Sequence, residues 1–321
     1  MTPFAVYILG SGSAKPVANR SSAAHAVQVR GGTYLIDCAE GTQRELCKNH
    51  LPIQTIKAVF LSHLHGDHCF GLPGLLSTMG MLGRTEPLPV FAPEPITEYL
   101  NGIKELFLQG NPFAIEVHPI TEADPGEIYH DKRISVTAFA LDHKVPTYGF
   151  KVTEQSVQRH IQPQACQAAG VPFFYYPALQ AGKDYITPQG ERVANALLTT
   201  PAAPGRSYAY CSDTRYMPSL ATVVRGVTLL YHEATYLAPM SGHAAQTYHS
   251  TAADAARVAA DAQVGHLVIG HFSTRYNTPT ELVQQAREIF PATGAAQDGM
   301  RIDLLSSSPA RVSVICPHET H

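Results

Sequence analysis

The sequence predicts an α/β fold, and two features of its apolar pattern support that prediction. Short runs rich in β-branched and aromatic residues alternate with longer segments whose apolar residues recur at helical spacing. Most of the short runs lead directly into histidine, aspartate or glutamate. Because α/β sheets place their sites at the carboxyl ends of strands, we expect these polar residues to converge at one edge.

Seven short runs are predicted to be strands that are buried on one or both faces. They are residues 4–9, 33–37, 56–63, 134–143, 206–213, 227–233 and 266–271. Three longer segments are predicted to be helices, at residues 95–107, 250–262 and 278–290. Ser250 and Thr251 are possible N-caps of the second helix, and a Thr-Pro pair is a start signal for the third.

Residues 153–200 depart from this alternation and are predicted to form a protruding insertion. The segment is punctuated by prolines and carries four consecutive aromatic residues, from Phe173 to Tyr176. A long excursion of this kind inside a compact domain is usually functional. The 321 residues are otherwise expected to form a single domain, because α/β folds of this size are often one unit.

Composition and charge limit the classes of function. Hydrophobic residues make up 45% of the chain and charged residues 15%, so a large core is available. The net charge of −3 does not indicate a strongly charged partner, and any contact with nucleic acid would use local patches. Six cysteines without a CxxC pair indicate reduced thiols and a cytoplasmic location. We expect neither a secretory signal nor a membrane span.

The stretch LSHLHGDHCFGLPG, residues 61–74, gathers metal-ligating side chains. Imidazoles and carboxylates are ligands for zinc and related divalent metals. Residues two apart on an extended segment project to the same side, so His63 and His65 can share one ion. The glycine that follows lets the chain turn. Asp67 and His68 then point elsewhere, which predicts a second ion; a solvated histidine-rich loop is the alternative.

Further polar residues stand at the ends of other predicted strands. They are His143, Asp213, His271 and the pair His232–Glu233. Taken singly, each has a structural alternative, such as a capped loop histidine or a turn aspartate. Their shared position at strand ends favours a common site with the histidine motif.

At these motifs the sequence resembles the metallo-β-lactamase-fold hydrolases and, within them, the tRNA 3′-processing endoribonucleases called ribonuclease Z. The similarity runs over nearly the whole chain. It rests on HLHGDHCFGLPGLL (63–76), DCAEGTQRELC (37–47), SDTR (212–215), HEATY (232–236), HST (249–251) and GHFSTRY (270–276). The segments AAGVP (168–172) and LQAGKDYITPQGER (179–192) look like the family's tRNA-clamping arm. The resemblance implies a four-layer αββα sandwich with this arm inserted at about 153–200.

The resemblance also implies two Zn²⁺ ions per subunit. One ion would be held by His63, His65 and His143, and the second by Asp67, His68 and His271. Asp213 would bridge the two ions. Ligands of this kind also suit manganese and iron, so the identity of the metal stays open.

Catalytic and binding roles follow from the same resemblance. Asp67 would orient the nucleophile or accept its proton, and Glu233 with His249 would form a relay that protonates the leaving ribose oxygen; a purely structural role for that pair is the alternative. Asp37 and His232 would support the ligands from behind. Substrate-binding roles are implied for Lys15, Arg20, Lys183, Ser273 and Arg275. The products would be a tRNA with a 3′-hydroxyl and a trailer with a 5′-phosphate.

Three features depart from the family pattern. Where the family's arm carries a Gly-Pro pair, this chain reads PFFYYP (172–177), whose aromatics either stack on RNA or, as we expect, pack the arm's own core. Residues 151–192 carry a margin of one positive charge, which is a weak electrostatic clamp. The family's P-x-K-x-R-N loop appears only as KPVANR (15–20).

The glycines of LGSGS (9–13) are a separate feature, and they predict a tight turn rather than a dinucleotide site.

Three functions are considered for this sequence. The first is a dinuclear zinc endoribonuclease acting on precursor tRNA as a homodimer, with residues 69–83 as a candidate dimer surface or as part of the subunit's own core. The second is a hydrolase of the same fold for small esters, such as a phosphodiesterase or sulfatase. The third is a non-catalytic scaffold in RNA processing. The insertion favours a macromolecular substrate, and the complete ligand set disfavours the scaffold.

Overall fold

Two β-sheets form the centre of the computed structural model, which describes residues 4–15, 17–121, 125–155, 159–201, 205–305 and 311–316. The strands are β1 (Phe4–Gly10), β2 (Ala24–Val29), β3 (Gly32–Ile36), β4 (Ile56–Phe60), β5 (Leu88–Pro93), β6 (Ile115–Ile120), β7 (Gly126–His130), β8 (Ile134–Leu141), β9 (Thr147–Glu154), β10 (His160–Ile161), β11 (Tyr185–Ile186), β12 (Arg192–Val193), β13 (Thr199–Thr200), β14 (Ser207–Cys211), β15 (Leu229–Glu233), β16 (Leu267–Gly270), β17 (Thr293–Ala295), β18 (Met300–Leu305) and β19 (Arg311–Ile315). The first sheet has the order β19-β18-β1-β2-β3-β4-β5-β6, and the second has the order β17-β16-β15-β14-β9-β8-β7.

The described residues form eleven α-helices, six of which cover the outer faces of the two sheets. The eleven are α1 (Thr42–Lys48), α2 (Gly66–Cys69), α3 (Leu72–Met81), α4 (Ile96–Phe107), α5 (Pro163–Ala168), α6 (Tyr176–Gln180), α7 (Asn195–Leu198), α8 (Leu220–Val223), α9 (Ser241–Thr247), α10 (Ala252–Asp261) and α11 (Thr280–Ile289). Helices α1, α3 and α4 pack on the first sheet, and α8, α10 and α11 pack on the second. Among the described residues, none of these helices is long and apolar enough to cross a membrane.

Strand β1 shows how the layers are built from the two-residue repeat of a strand. Phe4, Val6 and Ile8 belong to the core between the two sheets, where Phe150 of β9 also lies. The alternate residues of β1 belong to the core between the first sheet and its helices, together with Leu75 of α3. The four-layer αββα sandwich implied by the resemblance is therefore confirmed.

All seven predicted strands and all three predicted helices are present, with ends that differ by at most three residues from the predicted ones. Thr251 caps α10 through a capping box with Asp254, which confirms the second of the two proposed N-caps. The described residues form nineteen strands, so the sequence prediction missed twelve, among them β2, β5, β9 and β18. Strand β5 reads LPVFAP, and its two prolines conceal a strand that lies between β4 and β6.

Gly71 is required where the loop after β3 approaches the start of α3. A Cβ atom at this position would stand 1.9 Å from the carbonyl oxygen of Ala39, a backbone atom that cannot rotate away. We therefore expect Gly71→Ala to lower the free energy of unfolding by about 2 kcal/mol or more, measured by urea denaturation. Gly102→Ala is the matched control, because Gly102 lies in α4 with open space around its Cβ position. That variant should be about 1 kcal/mol more stable.

The segment Glu154–Gly205 forms a compact unit separate from the rest of the chain. Its own small core includes Cys166, Val171, Leu179, Tyr185 and Leu198. We call this segment the arm; its role in binding tRNA stays a prediction.

The expectation that the aromatic run packs inside the arm is only half right. Tyr175 and Tyr176 pack against the arm's core, but Phe173 and Phe174 are each 83% exposed. Phe173, Phe174 and Tyr175 form a short 3₁₀ turn, and Tyr176 begins α6. The core of so short a segment has room for the tyrosines, and the turn directs both phenylalanines to solvent.

Candidate metal centre

The histidine motif follows β4 and is not a solvated loop. His63 and His68 are fully buried, and His65 precedes α2, whose first residues are Gly66 and Asp67. The ring nitrogens His63 Nε2 and His65 Nδ1 are 3.0 Å apart. Two ligands at 2.0–2.1 Å from a tetrahedral zinc ion stand roughly 3.3 Å from one another. The spacing therefore fits two ligands of one ion.

Asp213 lies between two groups of ligand atoms. Its Oδ2 is 3.9 Å from His63 Nε2 and 3.9 Å from His143 Nε2. Its Oδ1 is 3.2 Å from His271 Nε2 and 3.7 Å from His68 Nε2. The two oxygens thus face different histidines, as a bridging carboxylate would.

Asp67, in the first turn of α2, lies next to His68 and His271. Its Oδ2 is 3.4 Å from His68 Nε2 and 3.8 Å from His271 Nε2. His63, His65, His143 and Asp213 form one set of potential ligands, and Asp67, His68 and His271 form another. In each set the ligand atoms all lie within 4.8 Å of one another.

Hydrogen bonds from behind direct the Nε2 atoms of four histidines toward the centre. Each Nδ1 has a neighbour: Ser62 Oγ for His63 at 3.0 Å, Asp37 Oδ2 for His68 at 2.8 Å, the Tyr248 carbonyl oxygen for His143 at 3.0 Å, and Thr235 Oγ1 for His271 at 2.9 Å. Such contacts set the tautomer and the orientation of a ligand imidazole. Nε2 is then the atom of each ring that faces the centre.

These Nε2 atoms provide the test for whether the residues fit a metal. The Nε2 atoms of His68, His143 and His271 are buried and have no hydrogen-bond partner among the described residues, and the same holds for Asp213 Oδ1. A buried polar atom without a partner costs free energy. A pair of divalent cations would satisfy all four atoms, so the donor set fits a dinuclear centre.

The charge environment agrees with this fit. Burial opposes ionisation of Asp213, but the neighbouring His271 and His68 outweigh it and hold the pKa of Asp213 below its usual value. Burial likewise opposes ionisation of Asp67, but the nearby His271 and His68 imidazoles outweigh burial and hold the pKa of Asp67 below its usual value. Burial lowers the pKa of His63, which keeps the ring neutral as a metal ligand must be.

Asp37 supports His68 from a fully buried position. Its Oδ1 accepts from the Ser62 backbone N–H at 2.7 Å, and its Oδ2 accepts from the Ser62 hydroxyl at 2.9 Å and from the Tyr210 hydroxyl at 2.7 Å. Asp37 has a φ of +57°, a left-handed conformation that aspartate tolerates better than most residues. Sequence analysis did not find Ser62, Tyr210 or the carbonyl of Tyr248, because no motif marks a residue that acts through its neighbour.

Glu233 and His249 lie next to the same centre. Glu233 is fully buried and its Oε1 is 2.8 Å from His249 Nδ1. Burial favours the neutral imidazole, but the charge of Glu233 and its hydrogen bond outweigh burial and raise the pKa of His249 to about 9. The His249 ring lies 5.3 Å from the His271 ring and 5.4 Å from the His143 ring. This geometry places an imidazole paired with a carboxylate at the edge of the site.

The structure does not bring His232 to this cluster. Neighbouring residues of a strand point to opposite faces, and Glu233 is the member of the pair that reaches His249. His232 is fully buried, and its Nδ1 is 2.7 Å from the carbonyl oxygen of Glu233. Its contact with the centre is therefore through the backbone of its neighbour.

Two of the five predicted substrate-binding residues line the cleft above the centre. This cleft has a volume of about 360 Å³, and its lining includes Lys15 and Ser273 beside His65, Asp67 and His249.

The other three predicted substrate-binding residues lie elsewhere. Arg275 is exposed and is not among the residues that line the cleft. Lys183 lies in the arm and is exposed. Arg20 donates from Nη2 to the carbonyl oxygens of Tyr276 at 2.6 Å and Asn277 at 3.0 Å. Its guanidinium thus binds this protein's own backbone.

The hydroxyl of Tyr210 is expected to contribute to metal affinity. Tyr210→Phe removes one of the hydrogen bonds that hold Asp37, so we expect metal affinity to fall about 10- to 100-fold in competition with a chelator. Tyr34→Phe is the matched control, because Tyr34 donates to Asp131 at 2.6 Å, away from the centre. Both variants should lose about 1–3 kcal/mol of unfolding free energy. Equal metal affinity in the two variants would contradict the role of Tyr210.

Comparison with known proteins identifies the family. A model of the β-lactamase superfamily domain matches residues 33–199. Ribonuclease Z of Porphyromonas gingivalis is 42% identical over 304 residues, which cover 95% of this chain and 100% of that protein. Ribonuclease Z of Parabacteroides distasonis is 40% identical with the same coverage. The crystal structure of the short form of human tRNase Z superposes with a TM-score of 0.68 and 26% identity, covering 93% of this chain and 98% of that one. The chain therefore belongs to the ribonuclease Z family of the metallo-β-lactamase superfamily.

Proposed function

We propose that this protein is a metal-dependent endoribonuclease that removes 3′ trailers from precursor tRNA. The observation that carries the proposal is a centre with two sets of potential metal ligands, next to the His249 imidazole, which is paired with the buried carboxylate of Glu233. Full-length relatives at 40–42% identity are named ribonuclease Z, which supports this substrate over small esters. The complete ligand set does not support a non-catalytic scaffold.

The chain's own residues support a hydrolytic mechanism. Two zinc ions, held by the two ligand sets, would lower the pKa of a water molecule and polarise the phosphoryl oxygens. Asp67 orients the attacking water and accepts its proton. His249 donates a proton to the ribose 3′ oxygen as the bond between that oxygen and phosphorus breaks. One water is consumed, and the products are a 3′-hydroxyl on the tRNA and a 5′-phosphate on the trailer.

The direct test is cleavage of a tRNA with a 3′ extension by the purified protein. We expect one cut at the trailer junction, with the end chemistry stated above. Activity should be lost with a chelator and restored by zinc, and metal analysis should give two ions per chain. A 2′,3′-cyclic phosphate product would contradict the mechanism, because attack by water leaves the substrate's 2′-hydroxyl unused. Undiminished cleavage after Asp67→Ala would also contradict it.

We further propose that the arm is the part of the chain that binds tRNA, inserted into a single catalytic domain. Its charges do not support an electrostatic clamp, since three basic side chains (Arg159, Lys183 and Arg192) are balanced by three acidic ones (Glu154, Asp184 and Glu191). The exposed pair Phe173 and Phe174 supplies stacking surface instead. Stacking of a base on an aromatic side chain is worth about 1–3 kcal/mol.

Replacing both exposed phenylalanines by serine should weaken binding of precursor tRNA. We expect KM for precursor tRNA to rise about 10-fold or more with little change in salt dependence, because no charge is removed. Hydrolysis of bis(p-nitrophenyl) phosphate should be unchanged. Ile186→Ser is the control, since Ile186 is also exposed on the arm, at 52%. An unchanged KM for the double variant would show that Phe173 and Phe174 do not contribute to binding of precursor tRNA.

We also propose that the protein acts as a cytoplasmic homodimer. Residues 69–83 could form a dimer surface or part of the subunit's own core, and the structure shows both kinds of side chain. The buried ones are Leu72, Leu75, Leu76 and Met79. Phe70, Met81 and Leu82 are exposed, by 65%, 77% and 56%. Three large exposed apolar side chains within one short segment fit a dimer surface. All six cysteines are free thiols, which supports a reducing compartment. Light scattering of Met81→Asp against wild type tests the surface.

A further inference from the structure

One wall of the cleft is built from two loops that are far apart in sequence. Ser13, Ala14 and Lys15 come from the loop after β1, and Ser273 and Thr274 come from the loop after β16. We call these five residues the cleft wall. None of them lies in a helix or a strand. Their positions therefore depend on contacts made by residues outside the wall.

Asp298 closes the first loop. Its Oδ1 accepts from the Ser11 backbone N–H at 2.9 Å and from the Ser11 hydroxyl at 2.7 Å, and its Oδ2 accepts from the Ser21 backbone N–H at 2.5 Å. Ser11 and Ser21 stand on opposite sides of the segment that contains Lys15. One carboxylate thus holds both ends of the loop together.

Two glycines allow this close approach and explain the motif LGSGS. A Cβ atom on Gly10 would stand 1.8 Å from the Ser22 carbonyl oxygen. The backbone N–H of Gly12 donates to the Ser21 carbonyl oxygen at 3.0 Å, and a Cβ atom there would be 3.1 Å from that oxygen. The glycines therefore bring two backbone segments together, whereas the sequence predicted a tight turn.

Arg20 ties the first loop to the second. Its Nη2 bonds to the carbonyl oxygens of Tyr276 and Asn277, and its guanidinium lies 5.8 Å from the centre of the Phe272 ring. Phe272 also forms a parallel β-bridge with Gly12. Contacts to both flanks of Ser273 and Thr274 thus start from the loop that carries Lys15.

We propose that Asp298 and Arg20 are positioning residues that hold the cleft wall in the conformation that binds the RNA around the scissile phosphate. The inference rests on the proposed ribonuclease function. Lys15 is a flexible point charge, and a freely moving loop would lose conformational entropy each time it bound a phosphate. A loop that is already closed avoids that loss. Neither Asp298 nor Arg20 needs to touch the substrate.

The test is steady-state kinetics of Asp298→Ala with two substrates. We expect KM for precursor tRNA to rise about tenfold with kcat within threefold of wild type, because the wall acts in binding and the metal ligands are intact. Hydrolysis of bis(p-nitrophenyl) phosphate and the zinc content should stay near wild type. Asp303→Ala is the matched control, since Asp303 lies on the nearby strand β18 and pairs with Arg301. It should leave both substrates unaffected.

A double-mutant cycle with Lys15 shows whether Asp298 acts through the wall. If it does, Lys15→Ala combined with Asp298→Ala should raise KM no further than Lys15→Ala alone. Fold-changes that multiply would overturn the proposal. So would equal losses of kcat on both substrates together with loss of zinc, because those indicate general disruption of the fold.

Arg20→Met provides a second, independent variant in case Asp298→Ala does not fold. It removes the donors to Tyr276 and Asn277 but keeps an apolar stem over Phe272, and it should show the same rise in KM. An unchanged KM in a well-folded Arg20→Met would overturn the role of Arg20. The proposed function fails separately: if wild-type protein does not cut precursor tRNA, the ribonuclease assignment is wrong before any variant is compared.

Discussion

Asp213→Ala should lower kcat for precursor tRNA at least about a thousandfold and reduce the bound zinc to fewer than one ion per chain. The reason is geometric: each oxygen of this carboxylate faces a different set of histidines, at 3.2–3.9 Å. If Asp213 bridges the two ions as proposed, removal of its side chain takes a ligand from both at once. It also removes negative charge from a centre that must hold two dications.

Metal analysis and single-turnover kinetics on the same preparation check this prediction. Asp261→Ala is the matched control, because Asp261 is an exposed aspartate at the end of α10. The control should retain both ions and full activity. Two tightly bound ions and cleavage within tenfold of wild type in Asp213→Ala would exclude a bridging role.

Glu233→Gln should lower kcat about 10²- to 10⁴-fold and shift the pH profile. The charge of Glu233 raises the pKa of His249 to about 9, against an ordinary value near 6.5. In the proposed mechanism His249 acts as an acid in its protonated form, so activity should fall as pH rises through its pKa. Without the carboxylate that pKa drops, and the alkaline limb of the profile should move to lower pH. Bound cations lower the pKa in both proteins, so the two profiles are compared at equal zinc content.

The same pair contributes to stability with a defined sign. Because the pKa of His249 is higher in the folded protein than in the unfolded chain, its stabilising effect is fully present below about pH 6.5 and is lost as pH rises through about 9. Urea denaturation of wild type should show this decline, and Glu233→Gln should show much less of it. Glu281→Gln, an exposed change in α11, is the control. In the kinetic experiment, an alkaline limb of the activity profile that stays at the same pH in Glu233→Gln would exclude His249 as the proton donor.

Much of the candidate site could be predicted from the sequence, because its residues lie in one short motif or at the ends of strands. His63, His65, Asp67 and His68 are neighbours in sequence, and a strand followed by a turn brings them to one place. His143, Asp213 and His271 each follow a strand of the second sheet. Strand ends can be recognised from apolar periodicity, so the edge on which these side chains meet was predictable. Their catalytic and ligand roles stay predictions that the variants above test.

Other assignments required the folded chain. Arg20 carries the positive charge expected of a side chain that binds phosphate. Only the folded chain shows that its Nη2 atom donates to the carbonyl oxygens of residues 276 and 277 instead. Phenylalanine is usually a core residue, but Phe173 and Phe174 are exposed. Tyr175 and Tyr176 pack against the arm's small core instead. Tyr210 reaches Asp37 across 173 positions of sequence, which no local pattern encodes.

The sequence alone determined the fold class, the family and the set of side chains able to bind metal, because periodicity and short motifs are local properties of a chain. The tertiary structure decided which of those side chains face one another, which are occupied by hydrogen bonds, and which contact solvent. Those outcomes depend on packing between segments up to 287 residues apart, such as Ser11 and Asp298. The free energy of such contacts arises only when the two sheets and their loops are in place.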